Sequence, residues 1–166
     1  RIIEIVGILI FCLGILLFLA LISYSPSDPN FIFPENVEIK NILGFQGSYI
    51  ADLCLQSVGL MAYIIPITFI FTGINIFKKK KIFLFLENTF FIVLYVLIGS
   101  LFFSLYYKNT FTFYINGNGG FVGSFLSEMI TSTFFNNFKN FIYYFLIFIS
   151  IYFFLKSVNF NIKKFL

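Results

Sequence analysis

The chain has 166 residues, of which 60% are hydrophobic and only 11% are charged. Soluble domains carry roughly 25% charged residues, so this composition is typical of a chain that is solvated by lipid. The formal net charge is +4 and histidine is absent, which excludes histidine-based metal sites and catalytic triads. Four consecutive lysines at positions 78–81 separate two apolar runs, a pattern that indicates a cytoplasmic loop rather than a nucleic-acid patch.

Four apolar segments approach the length of about 20 residues that a helix needs to cross a bilayer. They cover roughly residues 5–24, 56–77, 88–107 and 138–157. The first is longer than a signal-peptide core of about 7–15 residues and has no small-residue cleavage site after it, so we expect it to be retained. The sequence therefore predicts an all-α membrane protein with one integral membrane domain over residues 1–166.

The distribution of lysines predicts the orientation of these spans. Residues 78–87 form a cytoplasmic loop if the lysines obey the positive-inside rule, and residues 25–55 and 108–137 then form outer loops. Because the number of spans is even, both termini are predicted to lie in the cytoplasm.

Short amphipathic helices are predicted in both outer loops. One starts near Gly47 and leads into the second span. In the other, apolar residues recur at helical spacing from Phe121 to Ile130, which predicts either a helix that lies in the outer interface or a shallow re-entrant segment. Glu128 on the polar face argues against a spanning helix. We also expect the turn at residues 25–28 to pack on the glycine-rich residues 119–123.

Within the second span, Pro66 cannot donate a hydrogen bond to the carbonyl of Ala62, which predicts a kink. Asp52 is interpreted as a carboxylate within reach of solvent, so we expect Asp52→Asn to change little. The glycine-rich stretch at residues 117–123 lacks the Lys-Ser/Thr ending of a phosphate-binding loop. Since no nucleophile–base pair is recognisable either, we expect no enzymatic activity and no cofactor in this segment.

Three motifs occur in a fixed order along the chain: Ser-Pro-Ser-Asp-Pro directly after the first span, a spaced Asn, Gly, Gly and Ala-Asp before a helix with a central proline, and Gly-Gly-x-x-Gly before the last span. Together they resemble the N-terminal membrane domain of the FtsK/SpoIIIE family of DNA translocases. The residues that carry the resemblance are Ser25, Pro26, Asp28, Pro29, Asn41, Gly44, Gly47, Asp52, Pro66, Gly119, Gly120 and Gly123.

The resemblance implies four spans with both termini in the cytoplasm, and a hexameric motor C-terminal to this segment that binds ATP and Mg²⁺ and moves DNA. It also implies an anchoring and scaffolding role at the division septum of the bacterial inner membrane. The implied partners are the lipid bilayer, other division proteins, further copies through the motor, and DNA through the motor alone. The alternative function is a small multi-pass transporter or channel subunit, which polar residues in the middle of the spans would favour.

Overall fold

The computed structural model describes residues 1–29, 38–108, 116–130 and 132–160, with the backbone alone for residues 132–135. Residues 30–37 and 109–115 of the predicted outer loops lie outside the described residues. Regular structure in the described ranges is helical, which confirms the all-α prediction. The helices are α1 (Ile2–Ile22), α2 (Gly44–Val58), a 3-10 helix (Gly59–Ile64), α3 (Ile65–Lys79), α4 (Phe83–Tyr106), α5 (Gly120–Glu128) and α6 (Ser132–Ser157).

Four helical segments are long and apolar enough to cross a membrane, in agreement with the four predicted spans. They are Ile2–Ile22, Gly44–Lys79, Phe83–Tyr106 and Asn136–Ser157. Each span leaves large apolar side chains uncovered by protein, for example Leu13 on α1 and Phe148 on α6, which are 60% and 80% exposed. Because lipid tails solvate such side chains as well as a protein core does, these faces contact the bilayer.

The described ends of the chain lie at the same end of the helical bundle. The Glu4 carboxylate is 2.8 Å from the Lys80 ammonium, which brings the start of α1 beside the end of α3. Asn159 donates a 2.6 Å hydrogen bond from its side-chain amide to Asn88, which brings the end of α6 beside the start of α4. We name this the lysine end of the bundle, and the opposite end, where α1 leads toward α2 and α4 toward α5, the loop end.

Helices α1 and α3 pack backbone to backbone through glycine. A Cβ placed on Gly73 would lie 2.6 Å from the carbonyl oxygen of Gly7, and one on Gly14 would lie 2.9 Å from the backbone nitrogen of Ile70. Lipid tails are as apolar as leucine, so helix association in a bilayer depends on such close van der Waals packing. The glycines of both helices therefore allow the backbones of α1 and α3 to approach this closely.

The helical path breaks just before Pro66, as the sequence predicts. Residues Gly59–Ile64 form a 3-10 helix, and Pro66 then occupies the first turn of α3, where a missing N–H costs nothing. The carbonyl of Ala62, which Pro66 cannot reach with a donor, accepts instead from the N–H of Ile65. The tighter 3-10 hydrogen bond thus satisfies the group that proline would leave unpaired in the membrane.

Candidate functional site: the loop-end cap

Helix α2 forms a bridge at the loop end, from the end of α1 to the body of α4. At its start, the side-chain amide of Asn41 donates a 2.8 Å hydrogen bond to the carbonyl of Ala20, in the last turn of α1. At its end, the Ser100 hydroxyl of α4 donates to the carbonyl of Val58 at 2.9 Å. Fifteen residues at about 1.5 Å each span roughly 22 Å, so α2 links two helices that are far apart in the bundle.

The Asp28 junction joins the chain after α1 to the start of α2. Asp28 is 1% exposed, and its two carboxylate oxygens accept separate backbone hydrogen bonds, from Lys40 at 3.0 Å and from Asn41 at 2.8 Å. Ser48 of α2 donates to the carbonyl of the buried Pro29 at 3.1 Å. A charged acceptor for two backbone donors is a strong local restraint, because hydrogen bonds to ionised groups exceed neutral ones.

Asn41 organises the first turn of α2 from the opposite side of this junction. Its side-chain oxygen accepts from the N–H of Leu43 at 3.1 Å, and its carbonyl accepts from the N–H of Gly44 at 2.9 Å. Gly44 has φ +67°, a left-handed conformation that favours glycine. A Cβ on Gly47 would collide with the side chain of Asn41. The second predicted motif therefore fixes the first turn of α2, and Asn41 makes the contacts that hold it.

Pro26 and Ser27 are exposed at the tip of the turn, while Ser25 is half-buried. The hydroxyls of Ser25 and Ser27 lie 2.8 Å apart, and the N–H of Asp28 donates to the carbonyl of Ser25 at 3.1 Å. The tip of the turn is thus exposed, and Asp28 is buried against the start of α2.

Asp52 is buried, so the expectation that solvent reaches it is wrong. It is 7% exposed and accepts a 3.0 Å hydrogen bond from the hydroxyl of Tyr24. Burial, with the hydrogen bond to the Asp52 carboxylate second, raises the pKa of Tyr24, so the phenol stays protonated and able to donate. Asp52 therefore belongs to the internal packing of α1 and α2, and the premise for a harmless Asp52→Asn fails.

The glycine junction joins the other end of α2 to α4 and α5. Gly59 and Gly120 both have positive φ, of +62° and +64°, and a Cβ on Gly120 would lie 2.5 Å from the backbone nitrogen of Gly59. The N–H of Leu60 donates to the carbonyl of Asn118 at 2.9 Å. Two backbone segments thus touch directly, which only residues without side chains permit.

Gly119 and Gly123 seat α5 on α4. A Cβ on Gly123 would lie 2.7 Å from the carbonyl carbon of Ser100, and one on Gly119 would lie 2.5 Å from the Ser104 hydroxyl. The first and last glycines of the third predicted motif therefore contact α4, and the middle one, Gly120, contacts the end of α2.

Two phenylalanine side chains of α5 are exposed, while Val122 and Leu126 are half-buried. Phe121 and Phe125 are 62% and 51% exposed, whereas Gly120 and Gly123 are buried. The two rings stack at a centroid distance of 6.3 Å. The packed face of α5 is thus made by its small residues, and its phenylalanines form an uncovered surface at the loop end.

A family model described as the 4TM region of DNA translocase FtsK/SpoIIIE matches residues 1–164. The chain belongs to this family. Among relatives named DNA translocase FtsK, the protein of Rickettsia typhi is 30% identical over 140 residues, or 84% of this chain and 18% of its own length. That of Shewanella oneidensis is 43% identical over 75 residues, or 44% of this chain and 8% of its own length. No solved structure matches.

For this FtsK/SpoIIIE membrane region, the structure places the motif residues in two groups rather than one. The Asp28 junction holds Ser25, Pro26, Asp28, Pro29, Asn41, Gly44 and Gly47, and the glycine junction holds Gly119, Gly120 and Gly123. The turn at residues 25–28 contacts the start of α2, and residues 119–123 contact its end and α4, so the predicted packing of these two segments on each other is wrong. Asp52 lies between them on α2, and Pro66 opens α3.

Sequence reasoning did not assign the partners of these motif residues. Tyr24 supplies the donor for Asp52, Ser100 supplies both a hydroxyl for Val58 and a carbonyl surface for Gly123, and Asn118 supplies the carbonyl for Leu60. The described residues contain no group of three or more acidic, cysteine or histidine side chains placed to hold a metal ion. The arrangement as a whole is a joint between helices, held by buried hydrogen bonds and glycine contacts.

Proposed function

We propose that this domain anchors a DNA-translocating motor in the bacterial inner membrane at the division septum, with both termini in the cytoplasm. The observation that carries the proposal is membership of the 4TM region of the FtsK/SpoIIIE family over nearly the whole chain. The chain spans less than a fifth of the length of the relatives quoted above. We therefore assign ATP hydrolysis, Mg²⁺ and DNA binding, and assembly into a multimer, to a motor C-terminal to this segment.

The charge distribution supports the cytoplasmic assignment of the lysine end. The side chains of Lys78, Lys79 and Lys81 are exposed there, close to Arg1 and to the end of α6. Lysine and arginine concentrate in the cytoplasmic loops of membrane proteins. The loop end then faces the periplasm, together with its cap, by which we mean α2, α5, the Asp28 junction and the glycine junction.

Cysteine labelling tests this orientation in a background in which Cys12 and Cys54 are replaced by serine. Single cysteines at two exposed positions, Ser27→Cys at the loop end and Lys79→Cys at the lysine end, make a matched pair. In intact spheroplasts, an impermeant maleimide should label position 27 and leave position 79 unlabelled until the membrane is opened. Labelling of position 79 from outside would contradict the orientation.

The exposed phenylalanine pair on α5 is the part of the cap that we assign to contact with other division proteins. Large exposed aromatic side chains are frequent anchors of protein interfaces. A fluorescent fusion of residues 1–166 should concentrate at mid-cell, and the double substitution Phe121→Ala and Phe125→Ala should remove most of that enrichment.

Helix α6 offers a matched control for this experiment. Phe141 and Phe145 also form an exposed stacked pair, 67% and 51% exposed with centroids 5.8 Å apart. Alanine at both positions should leave mid-cell enrichment unchanged, because this pair faces lipid. A wild-type fusion that is inserted and intact but spread evenly around the membrane would remove the septal role, and equal effects of the two pairs would remove the role of α5.

A further inference from the structure

Helix α6 sits at the edge of the bundle. It packs along α4 and reaches α3 near the lysine end, and within the described residues it contacts none of the other helices. Its outward face is widely uncovered, with Tyr144 and Phe148 71% and 80% exposed. A helix with one main neighbour has little packing to hold it against a force applied along the chain.

The last residues of α6 are nevertheless tied to the interior by two chains of hydrogen bonds. In the first, the Asn159 amide donates to Asn88 at 2.6 Å, and the Asn88 amide donates to the Thr72 hydroxyl at 2.8 Å. In the second, the Thr68 hydroxyl lies 3.0 Å from that of Ser157 and 3.1 Å from that of Tyr95. We name this set the exit clamp: Thr68, Thr72, Asn88, Tyr95, Ser157 and Asn159.

The exit clamp spans three helices, and most of it is buried. Thr68, Tyr95 and Ser157 are fully buried and Asn88 is 1% exposed, whereas Asn159 is half-buried. The bonds of Thr68 to Tyr95 and Ser157, and that of Asn88 to Thr72, are therefore shielded from water, and the bond between Asn159 and Asn88 is partly buried. Asn75 of α3 adds a 3.3 Å hydrogen bond to the carbonyl of Val158. At the loop end, the Tyr106 hydroxyl donates to the Lys139 carbonyl at 2.6 Å and the hydroxyls of Tyr107 and Tyr143 lie 3.0 Å apart, and both of these bonds join α6 to the end of α4.

The backbone also changes direction at the exit clamp. Asn159 has φ +57°, and the N–H of Phe160 donates to the carbonyl of Leu155 at 3.0 Å. A left-handed residue followed by such a reverse hydrogen bond is a helix stop, and asparagine tolerates it better than most residues. One residue therefore ends α6 and, through its side chain, fastens that end to α4.

We propose that the exit clamp is a mechanical fastening that transfers pulling force on the chain after Asn159 to the interior helices α3 and α4. This inference rests on the proposed function, since a motor that follows the domain would pull on this point while it moves DNA. Without the clamp, load would fall on α6 alone, which has one main neighbour to resist it. With the clamp, the hydrogen bonds pass part of the force from the end of α6 to α3 and α4.

Magnetic tweezers on residues 1–166 in bicelles, with handles at both termini, test the fastening without the motor. We expect Asn88→Leu and Asn159→Gly each to raise the rate of α6 detachment at fixed force by roughly three- to tenfold, the range expected for a hydrogen bond between membrane helices. Asn159→Gly keeps the left-handed backbone and removes the amide. Since both variants remove the same Asn88–Asn159 bond, the double variant should detach little faster than Asn88→Leu.

Tyr107→Phe is the matched control, because it removes a hydrogen bond between α4 and α6 at the loop end and leaves the exit clamp intact. Its detachment rate should stay within about twofold of wild type. Equal acceleration by Tyr107→Phe and Asn159→Gly would overturn the proposal, and so would an unchanged rate in Asn159→Gly. Septal localisation is a separate readout, so a fusion that fails to reach mid-cell would not be mistaken for a failed clamp.

Discussion

We expect Gly123→Val to detach α5 from α4. The added Cβ would lie 2.7 Å from the carbonyl carbon of Ser100 and closer still to its oxygen, so it meets the backbone of α4 and not the end of a flexible side chain. Overpacking typically costs about 1–3 kcal/mol, and contact with backbone places this variant at the upper end. The apparent Tm of the purified domain in detergent should fall by roughly 5–10 °C.

Phe121→Val is the control for Gly123→Val, because it introduces the same side chain on the exposed face of the same short helix. It should leave the apparent Tm within about 2 °C of wild type. Amide hydrogen exchange adds a local readout: Gly123→Val should speed exchange across Gly120–Glu128 before it affects α1. A wild-type Tm together with wild-type exchange in α5 would mean that the glycine contact does not hold this helix.

The four spans were predictable because bilayer thickness fixes the length of a spanning helix and the apolar runs meet it. The break at Pro66 was equally predictable, since the missing N–H acts on a carbonyl only four residues away. These features depend on properties of neighbouring residues. The bridge formed by α2 could be predicted only in part. Its start at Gly44 follows from the local pattern, but its path from α1 to α4 depends on contacts between distant residues.

The buried polar contacts could not be read from the sequence because each joins distant positions. Tyr24 and Asp52 are 28 residues apart, and Thr68 and Ser157 are 89 residues apart. Asp52 has polar neighbours at helical spacing. This local pattern does not distinguish a carboxylate in water from one that is buried and accepts a hydrogen bond from a tyrosine. Burial was therefore decided by the tertiary arrangement of α1 and α2.

Polar side chains inside the spans would favour the transporter alternative, and several are buried there. Thr68, Thr72, Asn88 and Ser100 are all buried within spans. Each makes a hydrogen bond to another helix or to the adjoining segment: Thr68 and Thr72 to α4, Asn88 to α3, and Ser100 to the end of α2. Groups that satisfy one another in this way serve to join helices, and their presence does not require a substrate path.

The Asp28 junction should be the other point at which a small chemical change has a large effect. Asp28→Asn keeps the size of the side chain and replaces one carboxylate oxygen with an amide nitrogen. One of the two backbone donors, from Lys40 or Asn41, then faces another donor instead of an acceptor. Leaving a buried donor unpaired costs about 1–3 kcal/mol, and the loss of the charge weakens the remaining hydrogen bond as well.

Ser27→Ala provides the control for Asp28→Asn, since it removes a polar group from the exposed tip of the same turn and should leave the apparent Tm unchanged. Asp28→Asn should lower the Tm and speed amide exchange at residues 40–44, with α5 affected last. This pattern is the reverse of that expected for Gly123→Val, because the two junctions lie at opposite ends of α2. If Asp28→Asn instead sped exchange in α5 as much as at residues 40–44, the two ends of α2 would behave as one cooperative unit, and the separation into two junctions would be wrong.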